Sequence, residues 1–307
     1  MSVAKTELPV SDKNANHDDE PVRRSMLDAI PPTGLVLLAI TAIQVGAAIA
    51  IHLFPVLGPT GTVAARIILS AVLLLLAARA RIYSLLSSFR QHLLLLCAFG
   101  ACIAAMNLFF YLAIERIPLG AAVAIEFIGP LGLAAITSRR LTHIFWVGLA
   151  ALGIALLSPL AGVDLDPLGV GYALVAGIGW ATFVVLAGRV GRSVSGNDGL
   201  VIGMSVAALL MLPLVLPVVD VLATRPLILL AAVGVALLST TIPFLLEFSA
   251  LQRLTPRAYG VLVSLEPAVA ALVGALLLGE RIGVQGIAAV MCVVVAAIGI
   301  TVYDRKN

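Results

Sequence analysis

Residues 118–140 read PLGAAVAIEFIGPLGLAAITSRR. The stretch is apolar and long enough to cross a bilayer, yet it carries a carboxylate, Glu126, near its middle. Gly129 and Pro130 follow, and Arg139 and Arg140 close it. A charged side chain at the centre of a span costs roughly 2.5–3.5 kcal/mol on insertion scales, so it marks a pathway or a partner rather than lipid. A counterpart lies at 257–279, RAYGVLVSLEPAVAALVGALLLG, where Glu266 is followed at once by Pro267. Two proline-broken apolar segments with mid-membrane acids, one per half, form the pattern of a small-molecule site at the interface of two halves of a membrane protein.

The composition places the whole chain in the same class. Hydrophobic residues make up 61% and charged ones 11% of 307 residues, against about 25% charged in soluble domains. The expected fold class is therefore an all-α polytopic membrane protein. Spans of this kind must satisfy their backbone groups internally, which selects helices, and the runs are too continuously apolar for the alternating strands of a barrel. Ten spans are read at about 34–53, 60–78, 92–112, 117–137, 143–160, 168–187, 199–218, 227–250, 257–278 and 282–302, each roughly 20 residues long. The links between them are short and leave no room for a catalytic domain outside the membrane. Residues 1–30 are polar and acidic, lack the apolar core of a signal peptide, and read as a disordered cytoplasmic tail.

The basic residues orient the chain. With the N-terminus inside, the inner loops carry Arg23, Arg24, Arg79, Arg81, Arg90, Arg139, Arg140, Arg189, Arg192, Arg253, Arg257, Arg305 and Lys306. The outer loops carry Arg116, Arg225 and Arg281. Thirteen against three places both termini in the cytoplasm. A shift of 137 residues lays Arg116 on Arg253, Ala121 on Ala258, Pro130 on Pro267 and Gly34 on Gly171. The expected organisation is a repeat at 31–160 and another at 165–303. An odd number of spans in each inverts the second relative to the first.

Glu126 lies about nine residues into its span, roughly 13 Å deep at 1.5 Å per residue. Glu266 is similarly deep. Ala122, Gly129 and Pro130 leave a small face beside Glu126, suited to a neighbouring helix or to a ligand. The bland alternative for either acid is a protonated carboxyl bonded to a neighbour; the functional one is an ion or substrate pathway. Pro130 and Pro267 each free a backbone carbonyl at membrane depth, as polar handle or as static kink. Gln44, Asn107, Tyr111, Trp180 and Thr182 are further polar groups within spans; together they suit the lining of a polar cavity, but each alone reads first as an interhelical hydrogen bond. Arg66, in the outer part of the second span, either snorkels outward or pairs with an acid. Glu247, after Ser239-Thr240-Thr241 and Pro243, reaches the inner interface or pairs with Arg253. Glu280 and Arg281 read as a solvated pair in an outer turn.

Several classes are excluded. No phosphate loop, dinucleotide fingerprint or metal-spaced His/Cys cluster is present. Cys97, Cys102 and Cys292 sit in apolar segments as small core residues. His52, His92 and His143 lie at span ends, so no nucleophile–base set exists at membrane depth and an intramembrane enzyme is not expected. The basic residues occupy short loops and imply no nucleic-acid partner.

PLGAAVAIEFIGPL (118–131), Ser138-Arg139-Arg140, LEFSALQRLTPRAYGVLVSLEPAVAAL (246–272) and LGE (278–280) resemble the drug/metabolite transporter superfamily of EamA type. Within it, the chain is most similar to the bacterial threonine/homoserine exporters. The resemblance spans about residues 34–303. It implies ten helices in inverted five-helix repeats, a central cavity, no cofactor, and efflux of small metabolites across the inner membrane, driven by proton exchange or by the substrate gradient. It carries over Glu126, Gly129 and Pro130, then Glu266 and Pro267. The expected partners are a small-molecule substrate, protons and the lipid bilayer. Other cargo, import, or a non-transporting scaffold are the alternatives. The scaffold reading differs in needing no midplane acid.

Overall fold

The computed structural model describes residues 30–130, 132–133, 145–146, 148–149, 152–153, 156, 165–194, 198–251, 254, 262–281 and 283–303. Nearly all of the expected tail, most of the fifth span, the start of the ninth, and Arg139, Arg140, Arg253 and Arg257 lie outside the described residues. Within them, every regular element is helical, as the composition requires.

The helices are α1 (Pro32–Ala77), α2 (Ile82–Gln91), α3 (Leu93–Ile114), α4 (Leu119–Glu126), α5 (Pro167–Ser193), α6 (Asp198–Val215), α7 (Val219–Thr224), α8 (Pro226–Ala236), α9 (Ile242–Leu251), α10 (Glu266–Leu277) and α11 (Val284–Tyr303). Among the described residues, five apolar helical stretches are long enough to cross a membrane: α1, α3, α5, Asp198–Thr224 and Pro226–Phe244. Many large apolar side chains stay exposed along them, including Leu76, Leu94, Ile178, Leu209 and Leu230. In water such a surface would aggregate, but in a bilayer it is the lipid face.

The first two expected spans form one helical run, α1. Its two legs meet at Gly58, whose φ of 65° and ψ of 165° are non-helical. Pro55 and Pro59 flank the break and remove two backbone donors from it. The Thr62 hydroxyl donates to the Gly58 carbonyl at 2.7 Å and starts the second leg. α1 packs against α6, α8, α9 and α10, while α3 packs against α5 and α6. The amphipathic α2 is tied to the start of α6. Ser84 donates to Asp198 at 3.0 Å, and Arg81 pairs with the same carboxylate at 3.1 Å.

The eighth expected span is interrupted. α8 passes into a π-helical turn, Leu237–Thr241, before α9 begins. Pro243 has no N–H to continue the ladder, and a wider turn is one way to absorb the missing bond. Such turns inside helices concentrate at functional sites.

α4 and α10 pack along one another at closest range near Gly120. A Cβ on Gly120 would lie 2.7 Å from the Ala271 Cα. Beyond α10, Gly279 takes a φ of 68°, a left-handed turn that glycine reaches without strain. The Glu280 N–H then reaches back to the Gly274 carbonyl at 3.1 Å. This folds the Glu280 carboxylate onto the start of α4, where it accepts from the Leu119 N–H at 2.9 Å. The solvated pair expected of Glu280 and Arg281 is therefore corrected. Glu280 is a half-buried helix cap, and Arg281 stays exposed. Burial pushes the Glu280 carboxyl above its ordinary range, and the Leu119 bond partly offsets this. Glu280→Ala is expected to cost about 0.5–2 kcal/mol, the range for losing a helix cap. A chemical melt of the solubilised protein checks it, with Glu280→Gln recovering most of the loss because its carbonyl oxygen can still accept.

Candidate functional site

The polar side chains singled out in the sequence converge where α1, α3, α4, α5, α10 and the π-helical turn meet. A cavity of about 190 Å³ is lined by Gln44, Arg66, Asn107, Glu126, Trp180 and Glu266, with Ser239 from the turn. A second, of about 280 Å³, shares Arg66, Asn107, Trp180, Ser239 and Glu266. It extends past Phe183, Leu200, Met204 and Glu247. These residues lie toward the C-terminal ends of α5 and α9 and the first turns of α6, so the larger cavity runs to one end of the bundle.

Both acids sit at interruptions of their helices. Glu126 is the last residue of α4, and the chain turns at Phe127 before resuming. Glu266 is the first residue of α10, with Pro267 in the first turn, where a missing N–H costs nothing. Pro267 thus starts a helix rather than kinking one, which refines the expected helix-break role. The two carboxyls line the same small cavity. Gln44 donates to Glu266 at 3.1 Å, joining residues 222 positions apart.

Arg66 is buried, at 7% exposure, and does not snorkel. Its guanidinium donates to the Asn107 side-chain carbonyl and stacks over Tyr111, with Cζ 5.0 Å from the ring centroid. Asn107 is itself fixed by donating to the Ile103 carbonyl at 2.8 Å. Tyr111 is fully buried behind Arg66 and against Phe54. It supports the cavity wall from behind and does not line it. Trp180 lines the cavity and meets Phe127 edge-on, with centroids 5.1 Å apart. Thr182, in contrast, is exposed and donates to the Ile178 carbonyl.

Glycines set the depth of the site. A Cβ on Gly177 would lie 2.6 Å from the Glu126 carbonyl oxygen, and one on Gly129 would overlap the Gly177 carbonyl. α4 and α5 therefore touch backbone to backbone directly beside Glu126. Gly46 gives the same access to the π-helical turn, since a Cβ there would lie 3.0 Å from the Ser239 nitrogen. Pro130, beside Gly129, continues this segment and does not line the cavity.

At the opposite end of the bundle an ion pair links the end of α3 to the start of α5. Asp166 caps α5 by accepting from the Leu168 N–H at 3.0 Å, and its other oxygen pairs with Arg116 at 2.9 Å. The Arg116 bond, reinforced by the Leu168 N–H, holds the Asp166 carboxyl below the usual aspartate range. The contact is present above that range and is lost only as pH falls through the lowered value, well below any pH used for cells.

Ser239, Met106 and Ile43 also line the site. The run Ser239-Thr240-Thr241 ahead of Pro243 was the available signal for the first of these. Met106 and Ile43 carry no signal that separates them from other apolar span residues.

Comparison with known proteins agrees with this architecture. Residues 167–302 match the EamA-like transporter family. The chain is 39% identical over 280 residues to the threonine/homoserine exporter RhtA of Escherichia coli K12, covering 90% of this chain and 93% of the relative. It is 38% identical over the same length to RhtA of Salmonella typhimurium LT2. A crystal structure at 16% identity superposes with a TM-score of 0.59 over 89% of this chain and 99% of the other, which extends the agreement to the fold. With this identity over nine-tenths of its length and its helical architecture, the chain belongs to the EamA-like transporter family.

Proposed function

We propose that the protein is an inner-membrane secondary transporter that exports small neutral amino acids of the threonine and homoserine kind. The observation that carries this reading is the meeting of Glu126 and Glu266, each at a helix interruption, on one small cavity at membrane depth. Discontinuous helices around a midplane site suit alternating access. The identity to exporters named for threonine and homoserine supplies the cargo. One carboxyl exchanges a proton for the substrate's ammonium group, and the repeats at 31–160 and 165–303 rock about the site as inverted halves.

The arginine bias puts the N-terminus inside. In that orientation the larger cavity runs toward the cytoplasm, while Arg116–Asp166 and Glu280–Leu119 close the outer side. The conformation is then the one that loads cargo from the cell.

The test is efflux of labelled threonine and homoserine from proteoliposomes under an imposed pH gradient. Export above that of empty liposomes, slowed when the gradient is collapsed, is the expected result. No movement of either amino acid removes the cargo assignment and turns the search to other metabolites. Export indifferent to the gradient removes proton exchange alone.

A further inference from the structure

We propose that Arg66 is the carboxylate-binding residue of the cavity, which makes the site selective for zwitterionic amino acids over their amides and esters. The inference deepens the export reading and rests on it for the transport assay alone. A buried guanidinium is expensive to leave without an anion, because desolvation of the charge far exceeds what neutral contacts return. Arg66 nevertheless has no carboxylate within ion-pair distance among the described residues, where the ion pairs are Arg81–Asp198 and Arg116–Asp166. Of its five N–H donors, one is used on Asn107. Its Nε is fully buried and without a hydrogen bond among the described residues.

The surroundings hold the group in place without neutralising it. Asn107, fixed by Ile103, accepts at one end of the fork, and the Tyr111 ring supports its face. Asn107 and Tyr111 are thus positioning residues. A planar fork presented this way matches a carboxylate, and a lysine ammonium would not reproduce it. Arg66, Glu126 and Glu266 all line the smaller cavity. A cation and carboxyls around one small volume complement a molecule that carries both an α-carboxylate and an ammonium group.

The alternative is a purely structural Arg66 that braces Asn107 and Tyr111. The two differ in which ligand suffers when Arg66 changes. The experiment measures binding through the emission of Trp180 on the cavity wall and, in parallel, threonine efflux. The probes are threonine, homoserine, threoninamide and threonine methyl ester, with alanine, serine and valine and their amides as a wider panel. Wild type is expected to prefer each free acid over its amide by about 30-fold or more, the scale for losing one partner of a buried charge pair. Arg66→Gln is expected to raise the threonine KM by a similar factor while leaving threoninamide binding unchanged. Arg66→Lys should fall between.

Wild type that binds amides as tightly as acids overturns the inference, and this needs no variant to fold. So does Arg66→Gln with an unchanged threonine KM, or with equal losses for acid and amide. Should wild type export no threonine but still prefer other free amino acids over their amides, the cargo assignment fails and the role of Arg66 stands.

Discussion

Glu126→Gln is expected to reduce threonine export by about 30-fold or more at equal membrane levels, and to remove the response to an imposed pH gradient. The substitution preserves size and shape at a side chain only 9% exposed, so packing is not what changes. What is lost is a group that can hold either a proton or an ammonium ion. Its neighbours cannot replace it, because Glu266 is engaged by Gln44 and Arg66 carries the opposite charge. The measurement is efflux from proteoliposomes with the gradient imposed and then collapsed, wild type beside variant. Persistence of a gradient response in Glu126→Gln would move the proton site to Glu266. Full export in both single variants would remove the midplane acids as the proton and substrate site, whereas absence of export in wild type itself would favour the scaffold reading.

The second large effect touches no chemical group. Gly129→Ala adds one methyl where α4 and α5 already meet through their backbones, and that methyl would overlap the Gly177 carbonyl. A carbonyl cannot rotate away as a side chain can, so the helices must separate. Overpacking of this kind typically costs about 1–3 kcal/mol. The separation also displaces Glu126, whose own carbonyl faces Gly177. The expected outcome is a lower melting temperature together with lower export per molecule, read by thermal melts in detergent and by reconstituted transport. Gly171→Ala and Gly234→Ala are the controls, since nothing lies within 4 Å of either added methyl. These should melt no lower than wild type, helped by the better helix propensity of alanine. Equal behaviour of all three would remove the close α4–α5 approach as a determinant of the site.

Much of this was legible in the chain itself. Apolar run length dictates helices in a bilayer, and the cost of burying a carboxylate made Glu126 and Glu266 conspicuous in such runs. Gln44, Asn107 and Trp180 were visible as polar or amphipathic interruptions, and the structure brings all three to the cavity. What the residues could not reveal was pairing across long separations. Nothing local tells Gln44 that its partner is Glu266, or Glu280 that it will cap α4. Arg66 had two readings, outward snorkelling or an acid partner, and it took neither, because Asn107 and Tyr111 lie one helical turn apart on the helix it faces. Thr182 shows the converse. A hydroxyl in a span satisfies itself on the preceding turn, as its bond to Ile178 does, and says nothing about a cavity. The joining of the first two spans into one run is a matter of backbone torsion at Gly58, to which hydropathy is blind.

The tie between Glu280 and the start of α4 has a consequence for the proposed motion. α4 and α10 are fastened at that end by a carboxylate, and along their length by Gly120 against Ala271. Glu126 and Glu266 stand at the other end of the same pair of helices. In this conformation the two rods are held as one lever, with the carboxyls at its inner end and the Glu280 bond at its outer end. Because α4 belongs to one proposed repeat and α10 to the other, that single bond is the latch that must release before the site can open outward.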